Sequence, residues 1–526
     1  MLNTPTALRG MITAPHHLAS EAGLRVLRDG GNAVEAMVAA AAAIAVVYPH
    51  MNAVGGDGFW LIAEPGKAPI GIDAAGQSAA LATPEYYKEL GLDGIPARGP
   101  NAALTVGGTI GGWAEALACG GGSLPLNRLL EDAIYHAQNG VPVTQGQQDL
   151  TQEKLDELRG VPGFAETYLL DGVVPKAGQI LKQQALGDTL VRLAKVGLND
   201  MYEGETAERN ARYLESVGSP LRLADFQAYR AKRVSPLQVK IGAGTLYNMP
   251  PPTQGVSSLM ILALFDRLRV TADESFDHIH GLVEATKQAF LLRNAHVTDL
   301  AFMDVDPNDW LHEAFLDDLA KNIDLSQAME WPQPTKPGDT IWMGAIDGEG
   351  RSVSFIQSIY WEYGSGVVVP ETGVLFQNRG HGFTLEDDHP NKLEPGKRPF
   401  HTLNPAMAQL DDGRTMVYGN MGGEGQPQTQ AAVFSRYAMF GQPLQQAVTA
   451  PRWLLGRTWG EDSTTLKLES RFGSELIQSL KAGGHIVDVV EPFTSIMGHA
   501  GAVVRHANGV LEGATDPRSD GGVSSY

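Results

Sequence analysis

The pattern of the chain changes at Thr340. Residues from about 124 to 319 have mainly helical periodicity, whereas short β-type segments separated by Gly- and Asp-containing turns follow Thr340. A polar, Pro-rich stretch at residues 331–338 leads into this point, and an apolar segment follows directly. This order of elements predicts an α+β protein. Either the two parts are separate domains, or their strands join in one sandwich of sheets covered by helices.

Several elements are predicted individually. An amphipathic helix is expected at about residues 17–29 and a buried, Ala-rich helix at 33–48, with Gly30-Gly31-Asn32 between them. Later helices are expected at 181–196 and 276–295. Strands are expected at 59–62, 70–73, 239–247 (as a pair), 341–346, 353–359, 366–369, 416–418 and 502–505.

Composition argues against several classes of partner and site. The 526 residues carry a formal net charge of −20 with a pI near 5.1, which argues against nucleic acid and anionic membranes as main partners. The single cysteine, Cys119, excludes an intramolecular disulfide and a cysteine-based metal cluster. The apolar run 33–48 is too short to span a bilayer, and residues 1–10 lack a secretion-signal pattern, so we expect a cytoplasmic protein.

Thr340 is the candidate nucleophile. Cutting the bond between Asp339 and Thr340 would leave Thr340 with a free α-amine. Such an amine, with an unperturbed pKa of ~8, can serve as the base for the hydroxyl group of the same residue. The alternative is that Thr340 begins a strand simply because threonine is a good β-former.

Gly422 and Gly423 are candidates for stabilising a reaction intermediate. They follow a predicted strand, and paired glycines let backbone N–H groups approach a ligand closely. An oxyanion hole needs such donors, although an ordinary tight turn has the same composition. The 14 histidines show no metal-ligand spacing, and neither a dinucleotide loop nor a Gly-x-Ser-x-Gly elbow is supported. We therefore expect no metal and no organic cofactor.

A series of short motifs occurs in one order along almost the whole chain. They are Leu18-Ala19-Ser20-Glu21-Ala22-Gly23, Gly30-Gly31-Asn32-Ala33-Val34-Glu35-Ala36, Val54-Gly55-Gly56-Asp57-Gly58-Phe59, Met249-Pro250-Pro251-Pro252-Thr253-Gln254-Gly255, Lys397-Arg398-Pro399, Gly422-Gly423 and Asp516-Pro517-Arg518. Together they resemble the γ-glutamyltranspeptidase family of N-terminal nucleophile hydrolases.

The resemblance implies an αββα sandwich, in which helices flank two stacked, antiparallel-rich sheets. It implies self-cleavage before Thr340 into a large segment, residues 1–339, and a small segment, residues 340–526, which stay together as one structural unit. Thr340 would be both the processing site and the catalytic residue. The hydroxyl group of Ser358 would donate a hydrogen bond to the Thr340 side chain, and the amides of Gly422 and Gly423 would stabilise the tetrahedral intermediate.

The chain departs from the family pattern where substrate is held. Members that act on glutathione hold the α-carboxylate with an arginine, and Gly76 stands at that position here. Tyr360, Arg379 and Gly382 stand where the family holds the α-ammonium with an Asn, a Glu or Gln, and an Asp. The usual Ser-Ser after Lys-Arg-Pro is replaced by His401-Thr402, preceded by Phe400. A γ-glutamyl donor should therefore bind poorly, because its ammonium has lost its acidic partners.

A small amide acid without an ammonium group fits these departures better. Arg379 with His401 or Thr402 would grip a carboxylate, while the aromatic residues Trp342, Tyr360, Trp361 and Phe400 would narrow the pocket. Oxamate meets these demands, and one branch of the family hydrolyses oxamate in bacterial purine breakdown. A salt bridge from Arg379 to Glu386 or Asp387 is the purely structural alternative.

Other functions stay open at this point. The chain is alternatively a γ-glutamyl hydrolase or transferase, a cephalosporin-type acylase, or a non-catalytic binding protein that keeps the fold. The expected partners are a small-molecule amide and the complementary fragment of the same chain. The number of αβ units in a homo-oligomer is not fixed by the sequence.

Overall fold

The computed structural model describes residues 3–332, 339–456 and 463–526. Positions 333–338 of the predicted Pro-rich approach lie outside these residues, and Asp339 is described by its backbone alone. The α-helices are α1 (His17–Arg28), α2 (Ala33–Val47), α3 (Pro84–Glu89), α4 (Thr109–Gly120), α5 (Leu126–Leu129), α6 (Glu131–Asn139), α7 (Gln145–Leu158), α8 (Phe164–Tyr168), α9 (Gln184–Val196), α10 (Asp200–Glu203), α11 (Glu205–Val217), α12 (Leu223–Ala228), α13 (Gly255–Arg267), α14 (Phe276–His296), α15 (Glu313–Ala320), α16 (Gln426–Phe434), α17 (Leu444–Thr449) and α18 (Ser474–Ala482).

Most of the strands form two large sheets. The strands are β1 (Thr6–Ala7), β2 (Gly10–Ala14), β3 (Asp57–Ala63), β4 (Ile70–Ala74), β5 (Val141–Pro142), β6 (Ile180–Leu181), β7 (Lys232–Val234), β8 (Leu237–Ile241), β9 (Gly244–Asn248), β10 (Asp339–Asp347), β11 (Ser352–Tyr360), β12 (Ala406–Leu410), β13 (Thr415–Asn420), β14 (Trp453–Leu455), β15 (Leu466–Glu469), β16 (Val487–Val490), β17 (Ala500–Arg505), β18 (Leu511–Thr515) and β19 (Gly522–Ser525). One sheet has the order β19-β2-β10-β11-β3-β4-β7, and the other has the order β1-β18-β17-β13-β12-β9-β8.

Three apolar layers hold the sandwich together. The first sheet packs on α1, α2 and α4 through one buried cluster, and the second sheet packs on α13, α14 and α16 through another. A third cluster, which includes Phe59, Trp342, Met407 and Val417, lies between the two sheets. Each sheet therefore buries both faces, and the predicted αββα sandwich is confirmed.

Strands from both sides of Thr340 alternate within the first sheet. β10 pairs with β2, and β11 pairs with β3, all antiparallel. β9 from the early part likewise pairs with β12 in the second sheet. The single-sandwich alternative is therefore correct, and the change of pattern at Thr340 is not a domain boundary.

The Ala-rich helix α2 supports the strand that begins near Thr340. The Asn32 side chain accepts from the backbone N–H groups of Val34 and Glu35, and Glu35 returns a bond to the Asn32 N–H, which forms a capping box. Every residue of α2 is buried, and Ala33 N donates to Asp347 at the far end of β10. Small side chains let this helix lie close beneath the sheet.

Two predicted elements have different structures. The helix expected at 181–196 begins only at Gln184, because Ile180 and Leu181 pair with Val141 and Pro142 as β6 and β5. The strand expected at 366–369 is a loop with one bridge, between Val368 and Leu375. Gly366 has φ 76°, a left-handed conformation that interrupts an extended strand.

Candidate active site

Thr340 lies at an irregularity in the pairing of β10 with β11. Ile341 pairs with Gln357 and Asp339 pairs with Tyr360, so the register shifts between them and leaves Ser358 and Ile359 opposite Thr340 in a bulge. Thr340 is fully buried. Side chains alternate along a strand, so Thr340 shares the face that Trp342 and Ile346 turn toward the other sheet.

The prediction that Trp342 narrows the substrate pocket is wrong. The Trp342 ring lies between the sheets, and its Nε1 donates to Ser354 Oγ at 2.9 Å. A Cβ atom at Gly419 on β13 would lie 2.3 Å from Trp342 Cδ1, so this glycine admits the ring. Trp342 therefore fills the core beneath the site, and glycine opposite it lets the two sheets approach.

Ser358 is arranged to donate its own hydrogen. Its Oγ accepts from Tyr360 N at 2.8 Å and from Arg379 Nη2 at 3.3 Å. A hydroxyl group has two acceptor lone pairs and one hydrogen, so these two bonds leave the hydrogen for donation. Across the bulge, the hydroxyl group of Thr340 is the acceptor that the family resemblance predicts.

Gly422 and Gly423 follow the end of β13 in backbone conformations that suit glycine. Gly422 has φ 123° and Gly423 has φ 50°. Both residues are buried, and no acceptor in the described part of the chain takes a hydrogen bond from either backbone N–H. Buried N–H groups without an acceptor are rare, and two adjacent ones are the arrangement that an oxyanion hole requires.

Arg379 is a buried cation that makes no ion pair within 4.0 Å in the described residues, although the charge of the Asp57 carboxylate acts on it from farther away. Its Nη1 donates to Thr402 Oγ1 at 3.2 Å, and its guanidinium carbon lies 4.1 Å from the centre of the Tyr360 ring. No carboxylate oxygen of residues 3–332, 339–456 or 463–526 lies within 4.0 Å of it, and its Nε has no acceptor there either. Burial lowers the pKa of Arg379 to about 10, so it stays charged at neutral pH.

The alternative salt bridge from Arg379 to the acidic loop is therefore not formed. Asp387 instead pairs with Lys392 at 2.7 Å on the surface. Tyr360 supports Arg379 from a left-handed backbone conformation, with φ 83°. Tyrosine rarely adopts this conformation, and such strain is concentrated at functional sites.

His401 lies beside this cation and is neutral. Burial, together with the nearby Arg379 charge, lowers the pKa of His401 to about 4. Its Nε2 lies 3.2 Å from Asp57 Oδ2, while Asp57 Oδ1 accepts from the N–H groups of Gly76 and Gly108 at 2.9 and 3.0 Å. Asp57 also pairs with Ser358 in the register of β3 with β11, so the contact with His401 connects this histidine to strand β11.

The positions that replace family anchors differ in the space around them. A Cβ atom at Gly76 would lie 1.5 Å from Val106 O, so no side chain fits there without moving the backbone. A Cβ atom at Gly382 would have Phe400 O as its nearest neighbour, at 3.7 Å. Residue 76 is thus not the arginine of members that act on glutathione, and the backbone carbonyl of Val106 occupies the space that its side chain would need.

Sequence reasoning missed a second layer of residues behind the site. Gln254, Arg293 and Glu424 are buried and bonded to one another and to the loops that carry Thr402 and Gly423. Gln254 stands in the motif 249–255, and that was the available signal for it. Arg293 lies within a long helix and Glu424 follows the glycine pair, and neither has a pattern that indicates its partner.

Another buried cluster has a composition that suits a metal. His280 and Glu284 of α14 and His485 each place one ligand atom within 4.8 Å of the others. His280 Nδ1, however, lies 2.8 Å from His485 Nε2, and Lys287 Nζ lies 2.7 Å from Glu284 Oε1. The Lys287 ammonium disfavours a cation at this place. We therefore assign the cluster a role in joining α14 to the segment after α18.

Within residues 3–332, 339–456 and 463–526, no helix has both the length and the hydropathy needed to cross a bilayer.

Comparison with known proteins agrees with this geometry. A family model described as Gamma-glutamyltranspeptidase matches residues 19–526. The chain belongs to the γ-glutamyltranspeptidase family. The resemblance found in the sequence motifs is thereby confirmed.

Individual relatives match 97% or more of the chain. Oxamate amidohydrolase proenzyme of Klebsiella pneumoniae subsp. pneumoniae is 54% identical over 530 residues, which is 100% of both chains. Glutathione hydrolase-like YwrD proenzyme of Bacillus subtilis is 41% identical and covers 97% of each chain. The crystal structure of cephalosporin acylase from Bacillus halodurans superimposes with a TM-score of 0.92 at 33% identity, over 100% of this chain and 97% of that one. The chain is accordingly an autoprocessed amidohydrolase of the γ-glutamyltranspeptidase family.

Proposed function

We propose that the chain cleaves itself before Thr340 and then hydrolyses oxamate to oxalate and ammonia. The observation that carries the choice of substrate is the buried Arg379 guanidinium, which has no carboxylate within 4.0 Å in the described part of the chain. Asp57 acts on this cation only from beyond 4.0 Å, and a buried cation without a carboxylate in contact is costly, so the site favours a ligand of opposite charge. The 54% identity to the Klebsiella oxamate amidohydrolase supports the same substrate.

Cleavage would give a large segment, residues 1–339, and a small segment, residues 340–526. The Thr340 hydroxyl attacks the carbonyl carbon of Asp339, the resulting ester is hydrolysed by water, and the α-amine of Thr340 becomes free. The two segments stay associated, because β2 and β3 of the first are hydrogen-bonded to β10 and β11 of the second. Separating them would break the middle of a buried sheet.

Each group at the site has a role in the hydrolysis of the substrate amide. The free amine of Thr340 removes the proton of its own hydroxyl, whose oxygen then attacks the amide carbon of oxamate. Ser358 donates a hydrogen bond to that hydroxyl. The N–H groups of Gly422 and Gly423 donate hydrogen bonds that stabilise the negative charge developing on the carbonyl oxygen. Ammonia leaves with the proton from the amine, and water then hydrolyses the oxalyl ester.

Arg379, His401 and Thr402 hold the substrate carboxylate. The Arg379 fork supplies charged donors, and Thr402 is already bonded to it at 3.2 Å. Neutral His401 donates through one ring nitrogen, and Tyr360 stacks on the guanidinium. The anchor borders Ser358, so a bound carboxylate lies close to the reacting carbon, as it must when the two are adjacent in the substrate.

This arrangement favours oxamate over γ-glutamyl compounds and cephalosporin-type side chains. The arginine that binds a γ-glutamyl carboxylate cannot stand at residue 76, where Val106 O occupies the space of a Cβ atom. A cation, Arg379, stands where an ammonium would be held. A non-catalytic role is disfavoured, because the two buried N–H groups of Gly422 and Gly423 have no acceptor in the described residues.

The proposed reaction also indicates the cofactor requirement, the cellular location and the assembly of the enzyme. The nucleophile, base and oxyanion donors all come from the chain, so we predict that neither a metal nor an organic cofactor is needed. We place the enzyme in the cytoplasm, in the breakdown of purines through allantoin, with water as the acyl acceptor. Assembly of αβ units into a homo-oligomer is compatible with this role.

The proposal is tested by measuring ammonia release from a panel of amides. The panel contains oxamate, a γ-glutamyl amide and a cephalosporin-type acyl amide, and aniline release from a γ-glutamyl anilide is followed in parallel. We expect the highest kcat/KM for oxamate and no change after treatment with a chelator. A preference for the γ-glutamyl substrates, or activity that a chelator removes and a metal ion restores, would refute the proposal.

A further inference from the structure

One side-chain amide joins the two halves of the candidate site. Gln254 is fully buried, and its Nε2 donates to Thr402 O at 2.7 Å and to Gly423 O at 2.9 Å. Thr402 belongs to the loop that binds Arg379, and Gly423 carries one of the oxyanion donors. Both hydrogens of the amide are therefore used to hold these two loops at a set separation.

Arg293 fixes the orientation of that amide. Arg293 Nη1 donates to Gln254 Oε1 at 2.8 Å, and Nη2 of the same guanidinium pairs with Glu424, next to Gly423. Turning the amide over would direct its oxygen at two carbonyl oxygens and its hydrogens at the guanidinium, which leaves buried polar groups opposed. The backbone N–H of Gln254 also donates to His401 O at 3.0 Å.

We propose that Gln254 is a positioning residue that sets the distance between the carboxylate anchor and the oxyanion donors. By doing so it selects amide acids in which the carboxylate is bonded directly to the carbonyl carbon under attack. The inference rests on the proposed function, in which Arg379 binds the carboxylate and the Gly422 and Gly423 amides bind the oxyanion.

The selection follows from the rigidity of this link. Arg379, Thr402, Gln254 and Gly423 form one hydrogen-bonded chain from anchor to oxyanion donor, and all four residues are buried. Each methylene group inserted between the carboxylate and the amide of the substrate moves the carbonyl carbon farther from the anchored carboxylate and so out of register with the oxyanion donors. A misplacement of about 1 Å can cost about a hundredfold in rate, so a rigid spacing discriminates strongly by chain length.

The experiment measures kcat/KM for oxamate, malonamate and succinamate, in which the spacing grows by one methylene group at each step. We expect Gln254→Met, which keeps the length of the side chain but removes its hydrogen bonds, to lose about tenfold to a hundredfold on oxamate and much less on succinamate. The ratio of kcat/KM for oxamate to kcat/KM for succinamate therefore falls. Arg293→Lys, which keeps a cation beside Glu424, is expected to lower this ratio by a smaller factor.

Gln183→Met is the matched control. Gln183 is also a buried glutamine, and its Nε2 donates to Val46 O at 2.7 Å, outside the candidate site. We expect this variant to keep the wild-type ratio, and processing before Thr340 is scored on every sample. An equal loss on all three substrates in Gln254→Met would show a merely structural role and overturn the inference alone. A wild-type enzyme that hydrolyses none of the three would overturn the proposed function with it.

Discussion

The site has two sides that are built in different ways. The cleavage side consists of Thr340, Ser358 and the Gly422–Gly423 pair, and it is placed by strand register and by backbone conformation. The proposed anchor side consists of Arg379, which begins a short 3-10 helix, and of His401 and Thr402, which precede β12; all three would bind through their side chains. The first side keeps the family motifs and the second departs from them. Family membership therefore predicts how the bond is cut, and in the proposed function the side chains of Arg379, His401 and Thr402 select which amide is cut.

The largest effect is expected on the cleavage side. Thr340→Ala should abolish processing and lower amide hydrolysis by about 10⁴-fold or more, because nucleophile and base are lost together. Fragment analysis by gel and ammonia release measure the two effects. Thr415→Ala, at the first residue of β13, is the matched control and should process and react normally. If Thr340→Ala still splits into two fragments, another residue performs the cleavage.

The closed backbone at Gly76 predicts a large effect on folding. Gly76→Ala forces a Cβ atom to within 1.5 Å of Val106 O, so we expect a loss of stability of about 3 kcal/mol or more. Gly382→Ala is the comparison variant, since its nearest neighbour is 3.7 Å away. Thermal unfolding of the two variants decides the point. Equal midpoints would show that the space at residue 76 is not closed.

A smaller and more selective effect is expected on the anchor side. Arg379→Ala should lower kcat/KM for oxamate by about tenfold to a hundredfold, since a charged hydrogen-bonding contact is worth ~1.5–3 kcal/mol. Processing should still go to completion, because Tyr360 N continues to bond Ser358 Oγ at 2.8 Å. The kcat/KM of Arg379→Lys for oxamate should lie between those of the wild type and Arg379→Ala, because lysine keeps the positive charge but lacks the paired N–H donors of the guanidinium. Unchanged oxamate kinetics in Arg379→Ala would remove Arg379 as the anchor.

The smallest effect concerns pH. The pKa of His401 is about 4 in the folded chain and ~6.5 when unfolded, so as the pH falls the unfolded chain binds the proton first and stability drops. Between about pH 7.5 and 5.5 this residue alone should cost about 1.4 kcal/mol. Denaturant unfolding of wild type and His401→Asn at both pH values measures the difference. Identical pH dependence of the two proteins would contradict a buried neutral His401.

Much of the fold was predictable because local pattern and tertiary structure agree. The buried helix at 33–48 and the strand pair 59–62 with 70–73 have the periodicity of α2, β3 and β4. The start of α9 was predicted too early, because residues 180–181 pair with a distant strand instead of continuing the helix. Local propensity does not contain that long-range pairing.

The site was predictable only where a motif or a single residue type carries the chemistry. Arg379 stood out because a cation replaced a family acid, and the structure shows it buried without a carboxylate within 4.0 Å in the described residues. Trp342 was misassigned, since its ring turns to the opposite sheet, where Gly419 admits it. Gln254 and Arg293 had no role predicted, because their partners are backbone carbonyls and a carboxylate from distant segments.

The central claim is that Thr340 becomes an N-terminal nucleophile that carries the acyl group of a small amide acid. Mass spectrometry of the enzyme quenched during turnover of oxamate tests it most directly. We expect two fragments, the smaller beginning at Thr340 and a fraction of it heavier by one oxalyl group on that residue. An active enzyme that remains one 56.3 kDa chain, or an oxalyl group on any other residue, would contradict the account.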